Sequence, residues 1–496
     1  MKERKKKSSW LKCPCVRAEV EEIYELDYQH CSLVTLPDEI FEFECSLKKL
    51  YLDYNQIEDL PRNLFSCYFL TTLTLSDNEL DVIPPGIGGL TNLEELDISK
   101  NLITDLPDNL KNCRRLKIIR ASSNNISRIP ECLTQLVSLE ELYLNDSSLE
   151  FLPANFGRLV SLRILELREN ELSSLPKSIN RLVNLEKLDL GQNEILDFPD
   201  VIGELSSLTE LWLDSNLITT VPDSIESLHK LEHLDLSKNR LESISDQIGC
   251  CLMLDFLELS KNELKDLPDS ICSLFSLTRL KLDQNQLMYL PENIGRLREL
   301  EELSLESNCL SSLPQSIGYL RKLHCLNVDN NGLLTLPKAI GHCQRLAILS
   351  ARGNRIEELP EEIGLIQRLS VVNFASNCLS TLPVSMLKLN LSALWLAEGQ
   401  NKPLVPLQIE RDPVTTKRCL VCFLLPQTSR SQDEEFQYVS KTLPNPEEEE
   451  ESFMNRRRIR FSLEPNPENR RLMRAPTPYP KDLREMALRM KNRPYK

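Results

Sequence analysis

Leu162–Pro176, LRILELRENELSSLP, decides the fold, because close copies of it recur at a fixed spacing through most of the 496 residues. Stacked, the copies read L-x-x-L-x-L-x-x-N-x-L-x-x-L-P-x-x-I-x-x-L-x-x. The asparagine column gives the period: Asn55, Asn78, Asn101, Asn124, Asn170, Asn193, Asn216, Asn239, Asn262, Asn285, Asn308, Asn331, Asn354 and Asn377 fall on one 23-residue spacing, with Ser147 filling its single gap. The column spans 15 turns, and Cys31 and Gly399 mark one irregular turn at each end, which makes about 17.

Each residue type follows from the geometry of such a turn. Leu93, Leu96 and Ile98 are expected inside while Glu95, Asp97 and Ser99 point out, the alternation of a strand with one buried face. Asn101 stands where the chain must turn inside the stack. There an amide can satisfy backbone groups of its own turn and the neighbouring one, each of which would cost roughly 1–3 kcal/mol if stranded. Leu106-Pro107 opens the opposite segment, where proline suits the start of a short helix. The proline recurs turn after turn, and Ser245 interrupts it. These features define a leucine-rich repeat. The expected fold is an α/β solenoid, a horseshoe of about 17 turns with a parallel concave sheet over residues 23–400, a C-terminal cap at 401–426 and a disordered tail at 427–496.

The charge is uneven. Residues 1–22 and 427–496 each carry a formal +3, which leaves −21 for the repeat body out of a total of −15. An acidic body disfavours nucleic acid and suits basic protein surfaces. The 16 cysteines are scattered, many at core positions such as Cys67, Cys113, Cys272 and Cys343, a usage that fits a reducing compartment. Neither a signal-peptide core nor an apolar run of membrane-spanning length stands in the sequence.

Both termini depart from the repeat. Cys13 and Cys15 flank Pro14 behind a Lys/Arg cluster, which reads either as a plain disordered terminus or as a lipid-anchored one, since cysteine beside polybasic residues is the palmitoylation context. RCLVCFLLP at Arg418–Pro426 is expected to be a strand covering the last turn, and its Cys419 and Cys422 lack the second pair that a zinc site needs. In the tail, RRIRFSLEP at Arg457–Pro465 and a second basic island at Arg470–Arg493, with a helix expected over Lys481–Met490, read as short binding segments or as solvated charge.

Several stretches go beyond a generic repeat: CPCVRAEVEEIYELDYQHCSL at Cys13–Leu33, Tyr143–Ser178, DQNQLMYLPENIG at Asp283–Gly295, ALWLAEGQNKPLVPLQ at Ala393–Gln408, CFLLPQ at Cys422–Gln427 and RAPTPYPKDL at Arg474–Leu483. In these the chain resembles the leucine-rich repeat and PDZ (LAP) family of cell-polarity scaffolds, in particular its Erbin and Densin branch, with Scribble and Lano as relatives. The resemblance implies a cytoplasmic, non-enzymatic scaffold, peripheral at basolateral plasma membrane and cell junctions, with palmitoylation at Cys13 and Cys15 and polarity, junction or receptor-associated proteins as partners. Most relatives continue into PDZ domains, which this sequence does not contain, so partners that need PDZ grooves are not assumed. Gly399 stands where the family commonly has asparagine.

The outward positions of consecutive strands put Tyr143, Glu166, Asp189, Trp212, Asp235 and Glu258 in one row, with Arg168 and Asp214 beside it. A tryptophan and a tyrosine exposed among acids are hot-spot types, so a basic or serine-rich peptide is the expected occupant, with Trp212 as its apolar anchor. Five histidines, among them His233 beside Asp235, come without a nucleophile elbow, phosphate loop or metal-ligand spacing, so no catalytic residue, metal or cofactor is expected. The alternative reading is a regulatory adaptor subunit of a Ras-type signalling or phosphatase complex.

Overall fold

The computed structural model describes residues 23–411 and 417–427. The segment 1–22 with Cys13 and Cys15, and the tail from residue 428 onward with its two basic islands, lie outside the described residues. The chain divides into two compact units, Met1–Glu194 and Ile195–Lys496.

In the first unit eight three-residue strands run from Glu25–Asp27 to Lys187–Asp189, and in the second nine run from Glu210–Trp212 to Ala393–Trp395. Within each unit every strand is parallel to the next, and the sequence period is the sheet register: Leu73 lies opposite Leu96, and Leu257 opposite Leu280. The two end turns break it by one residue, since Glu25 pairs with Lys49 and Val371 with Ala393. Strands this short cannot stand alone. They are held because each turn buries its leucines against the next, as at Leu234, Leu236 and Leu241, and each such side chain contributes roughly 1.5–3 kcal/mol.

The layer opposite the sheet consists of 3₁₀ turns, and among the described residues no α-helix occurs. Proline sits one residue earlier than the first helical turn: Pro107 caps Asp108–Asn112 in an extended conformation, and its carbonyl accepts the N–H of Leu110 at 3.0 Å. At the gap, Ser245 caps Asp246–Cys250 by accepting the N–H of Gln247 at 3.1 Å, while its hydroxyl is bonded to Asp223.

The asparagine column does what its chemistry suggests. Asn101 Oδ1 accepts the N–H of Leu80 in the turn before, and its Nδ2 donates to the carbonyls of Leu75 and Ile98, all within 3.1 Å. The turn also carries a backbone conformation that no shared residue type announces. The residue just before each asparagine, from Tyr54 to Ser376, has φ near +55°, a left-handed conformation costing roughly 1–2 kcal/mol for a side chain other than glycine.

In the last turn the amide comes from outside the repeat. Gln427 Oε1 accepts the N–H of Leu379 at 3.0 Å, and its Nε2 donates to the carbonyls of Phe374 and Leu396 at 2.8 and 2.7 Å, the same three kinds of partner that Asn377 meets one turn earlier. A Cβ at Gly399 would meet open space, and the neighbouring Gln400 Oε1 takes the N–H of Leu396. The cap that carries Gln427 is antiparallel: Arg418–Val421 pairs with Gln408–Arg411 on one side and Leu382–Pro383 on the other, burying Cys419 and Leu420.

Candidate functional site

The strand face turned away from the leucine core carries two residue columns, one from the first and one from the third residue of each strand. The row from Tyr143 to Glu258 is the third-residue column.

In the first unit it brings Tyr143, Glu166 and Asp189 into register on neighbouring strands. Their charges are largely answered locally. Lys187 Nζ lies 2.7 Å from Glu166, whose other oxygen accepts from Asn145 at 2.8 Å, and Arg168 is 3.2 Å from the buried Asp189. Tyr143 is half-buried, stacked under the Arg120 guanidinium and donating to Glu141 at 3.0 Å. Burial, and then that carboxylate, push its hydroxyl up to about 12.

In the second unit Trp212, Asp235 and Glu258 pair in register. Here the face differs from the expectation of exposed aromatics among solvated acids. Trp212 is half-buried, while Asp214 and Glu258 are buried at 5% and 8% exposure. The tryptophan stacks on His233 with ring centroids 4.0 Å apart, His233 stacks on Phe256 at 4.4 Å, and the Arg279 guanidinium lies 4.5 Å over the Phe256 ring. His233, Phe256 and Arg279 belong to the first column and follow the same 23-residue step, so the signal was present in the sequence. His233 does not hydrogen-bond to Asp235: its Nε2 and the Nε1 of Trp212 are both buried without a partner. Burial holds the imidazole down to about 4, against Glu210 and with the help of Arg279, so it is neutral at pH 7.

Around this stack the acids remain numerous. Burial pushes Asp235 up to about 6, with Asp214 and Glu258 adding to the effect and the Ser237 N–H at 2.9 Å opposing it. Asp283 is likewise raised to about 6 and Asp329 to about 7, both chiefly by burial. Of the basic groups on this face, Lys281 is 3.2 Å from Glu258. Among the described residues no group of His, Cys, Asp or Glu is arranged to hold a metal ion, and no helix is long and apolar enough to cross a membrane.

The comparisons with known proteins agree with this architecture. Models of the leucine-rich repeat region match residues 152–352 in overlapping segments, and a leucine rich repeat model matches 68–149. Leucine-rich repeat-containing protein 7 of Rattus norvegicus is 51% identical over 82 residues, 16% of this chain and 6% of the relative. Erbin of Homo sapiens is 55% identical over 62 residues, 12% of this chain and 4% of Erbin. The matched stretches therefore cover only a small part of these curated relatives. The solved structure of a leucine-rich repeat protein from Leptospira interrogans superposes with a TM-score of 0.66 at 32% identity, covering 77% of this chain and 91% of that one. The chain belongs to the leucine-rich repeat proteins, with relatives in their LAP branch.

Proposed function

We propose that the protein is a non-enzymatic adaptor that holds a basic peptide segment of a polarity, junction or receptor-associated protein on the sheet face of its second unit. The Trp212–His233–Phe256 stack within an acidic surface carries this reading. The stack already accepts one guanidinium, that of Arg279, on a ring face, and a partner's arginine is the same chemistry. The two partnerless ring nitrogens call for polar partners such as peptide carbonyls or serine hydroxyls, because each costs roughly 1–3 kcal/mol while unmet. Glu166, Asp189 and Tyr143 of the first unit form a surface of related chemistry whose charges are largely answered locally.

The second part of the proposal is location: attachment to the inner face of the basolateral plasma membrane through acylated Cys13 and Cys15 and the basic residues around them, as the resemblance to LAP scaffolds implies. The binding claim is tested by capture from epithelial cell extract with purified protein. Trp212→Ala combined with Asp235→Lys is expected to lose the captured partner while Glu171→Ala, in the first unit, keeps it. Equal capture by the double variant and the wild type puts the site elsewhere.

A further inference from the structure

On the side of the first unit opposite the sheet lies a hollow of about 490 Å³, walled by Arg158 and Arg181 and by the side chains of Val137 and Val160. Its origin is local. The 3₁₀ turn Phe156–Arg158 has three residues where Glu131–Gln135 and Lys177–Arg181 on either side have five. It approaches the following turn so closely that a Cβ on Gly157 would fall 1.8 Å from the Ser178 carbonyl, while the Gly157 N–H donates to Ser178 Oγ at 3.1 Å. Glycine is thus required there, and it lines the hollow beside Arg158.

Two properties set this place apart. Val137, Val160 and Val183 recur at 23 residues, each about half exposed, as a short apolar ridge. Beside them the segments 154–161 and 177–184 contain Arg158, Lys177 and Arg181 and no acid, although the repeat body carries −21 overall. Neither Arg158 nor Arg181 meets a carboxylate among the described residues, and both are exposed. Some exposed arginines of this unit do have partners, as Arg163 has Glu186 at 2.9 Å and Arg128 has Asp105 at 3.1 Å, whereas Arg158 and Arg181 share one acid-free patch with the valine ridge.

We propose that this hollow is a second docking site, for a peptide segment of a partner protein in which acidic and small aliphatic residues alternate. Its carboxylates pair with Arg158 and Arg181 and its aliphatic side chains cover the valine ridge. Planar guanidinium forks suit carboxylates, and the valines discriminate such a segment from a merely acidic one. Two cations beside an apolar ridge fit a peptide that carries both acidic and aliphatic side chains.

The test uses the full chain and a fluorescein-labelled peptide of alternating Glu and Val, read by fluorescence anisotropy, with Glu-Ser and Lys-Val peptides of equal length as controls. The Glu-Val peptide is expected to bind at least about tenfold tighter than either control, and Arg158→Glu with Arg181→Glu to remove that binding. All these positions are exposed, so an unchanged melting curve shows that the variant is folded. Equal binding by the charge-reversal variant, equal binding of the Glu-Ser peptide, or no binding of the Glu-Val peptide overturns the proposal. So does an arginine-dependent attachment to phosphatidylserine vesicles or an arginine-dependent self-association that persists without peptide binding, since either gives the surface to another occupant.

Discussion

Asn239 shows how much one side chain holds: its Oδ1 takes the Ile218 N–H at 3.0 Å, and its Nδ2 serves the carbonyls of Leu213 and Leu236 at 2.9 and 3.0 Å. Asn239→Ala is expected to cost on the order of 1–3 kcal/mol in urea unfolding, because buried groups of two turns lose their partner together. Ser147 makes the opposite case. Its hydroxyl reaches only the Asn145 carbonyl at 3.5 Å, and Leu149 on its own turn is served by Asn170 as usual. Ser147→Asn is therefore expected to stabilise by about 1 kcal/mol, as a restored hydrogen bond does. The amide's role could be read from its column alone. The left-handed residue before it could not, because Tyr54, Lys100 and Glu169 share no side-chain type and only Gly353 gives the position away. Nor could the buried acids. Asp329 is raised to about 7, with its carboxyl accepting from Ser350 and from the Arg352 N–H, both at 2.7 Å, while Glu306 adds repulsion. A carboxyl raised above its unfolded value contributes stability that is complete below about 3.9 and lost as the pH rises through the folded value. Lowering the pH from 8 to 6.5 should thus raise the melting temperature. Asp329→Asn should flatten that slope and melt higher than wild type at pH 8. His233 acts in the other direction below its unfolded value, since a depressed imidazole loses stability as the pH falls toward 4.

At the scale of elements, the strand register was legible because it equals the sequence period; even the lengthened first turn and the shortened last one appear as the pairs Glu25–Lys49 and Val371–Ala393. The 3₁₀ turns were partly legible: an apolar residue followed by proline marks where most begin, but there proline is the extended cap and not the first helical residue, and Ser245, Asn155 and Asn293 cap the exceptions. The closing of the last turn was not legible, since Gln427 lies outside the repeat spacing and in a stretch whose composition reads as tail. Gln427→Ala strands the Leu379 N–H and two carbonyls. It is expected to cost roughly 1–3 kcal/mol of local stability and to speed amide hydrogen exchange at Leu379 and through Arg418–Val421, with little change in the first unit. Uniform exchange in the variant and wild type would contradict that role for the glutamine. The aromatic stack belongs to this scale as well. It joins side chains from three adjacent strands, and it becomes visible from sequence only when both outward columns, not one, are stepped by 23.

For the whole molecule, the proposal combines a recognition face with a place in the cell. Lys2, Arg4, Lys5, Lys6, Lys7, Lys12 and Arg17 each gain about 1 kcal/mol near an anionic leaflet, and one acyl chain of myristoyl length anchors only marginally, so two acylated cysteines or one with the basic cluster are needed for durable attachment. Cys13→Ser with Cys15→Ser is expected to release the protein to the soluble fraction with its melting curve unchanged, and each single change to release part of it. Full membrane retention of the double variant would assign location to protein partners instead. The adaptor reading itself is tested most directly by proximity labelling in polarised epithelial cells, comparing wild type with Trp212→Ala plus Asp235→Lys. The expected result is that the wild type labels a set of junction proteins, and that the variant stays at the lateral membrane but loses those whose basic segments it held. An identical set of labelled proteins from both would contradict recognition at this face.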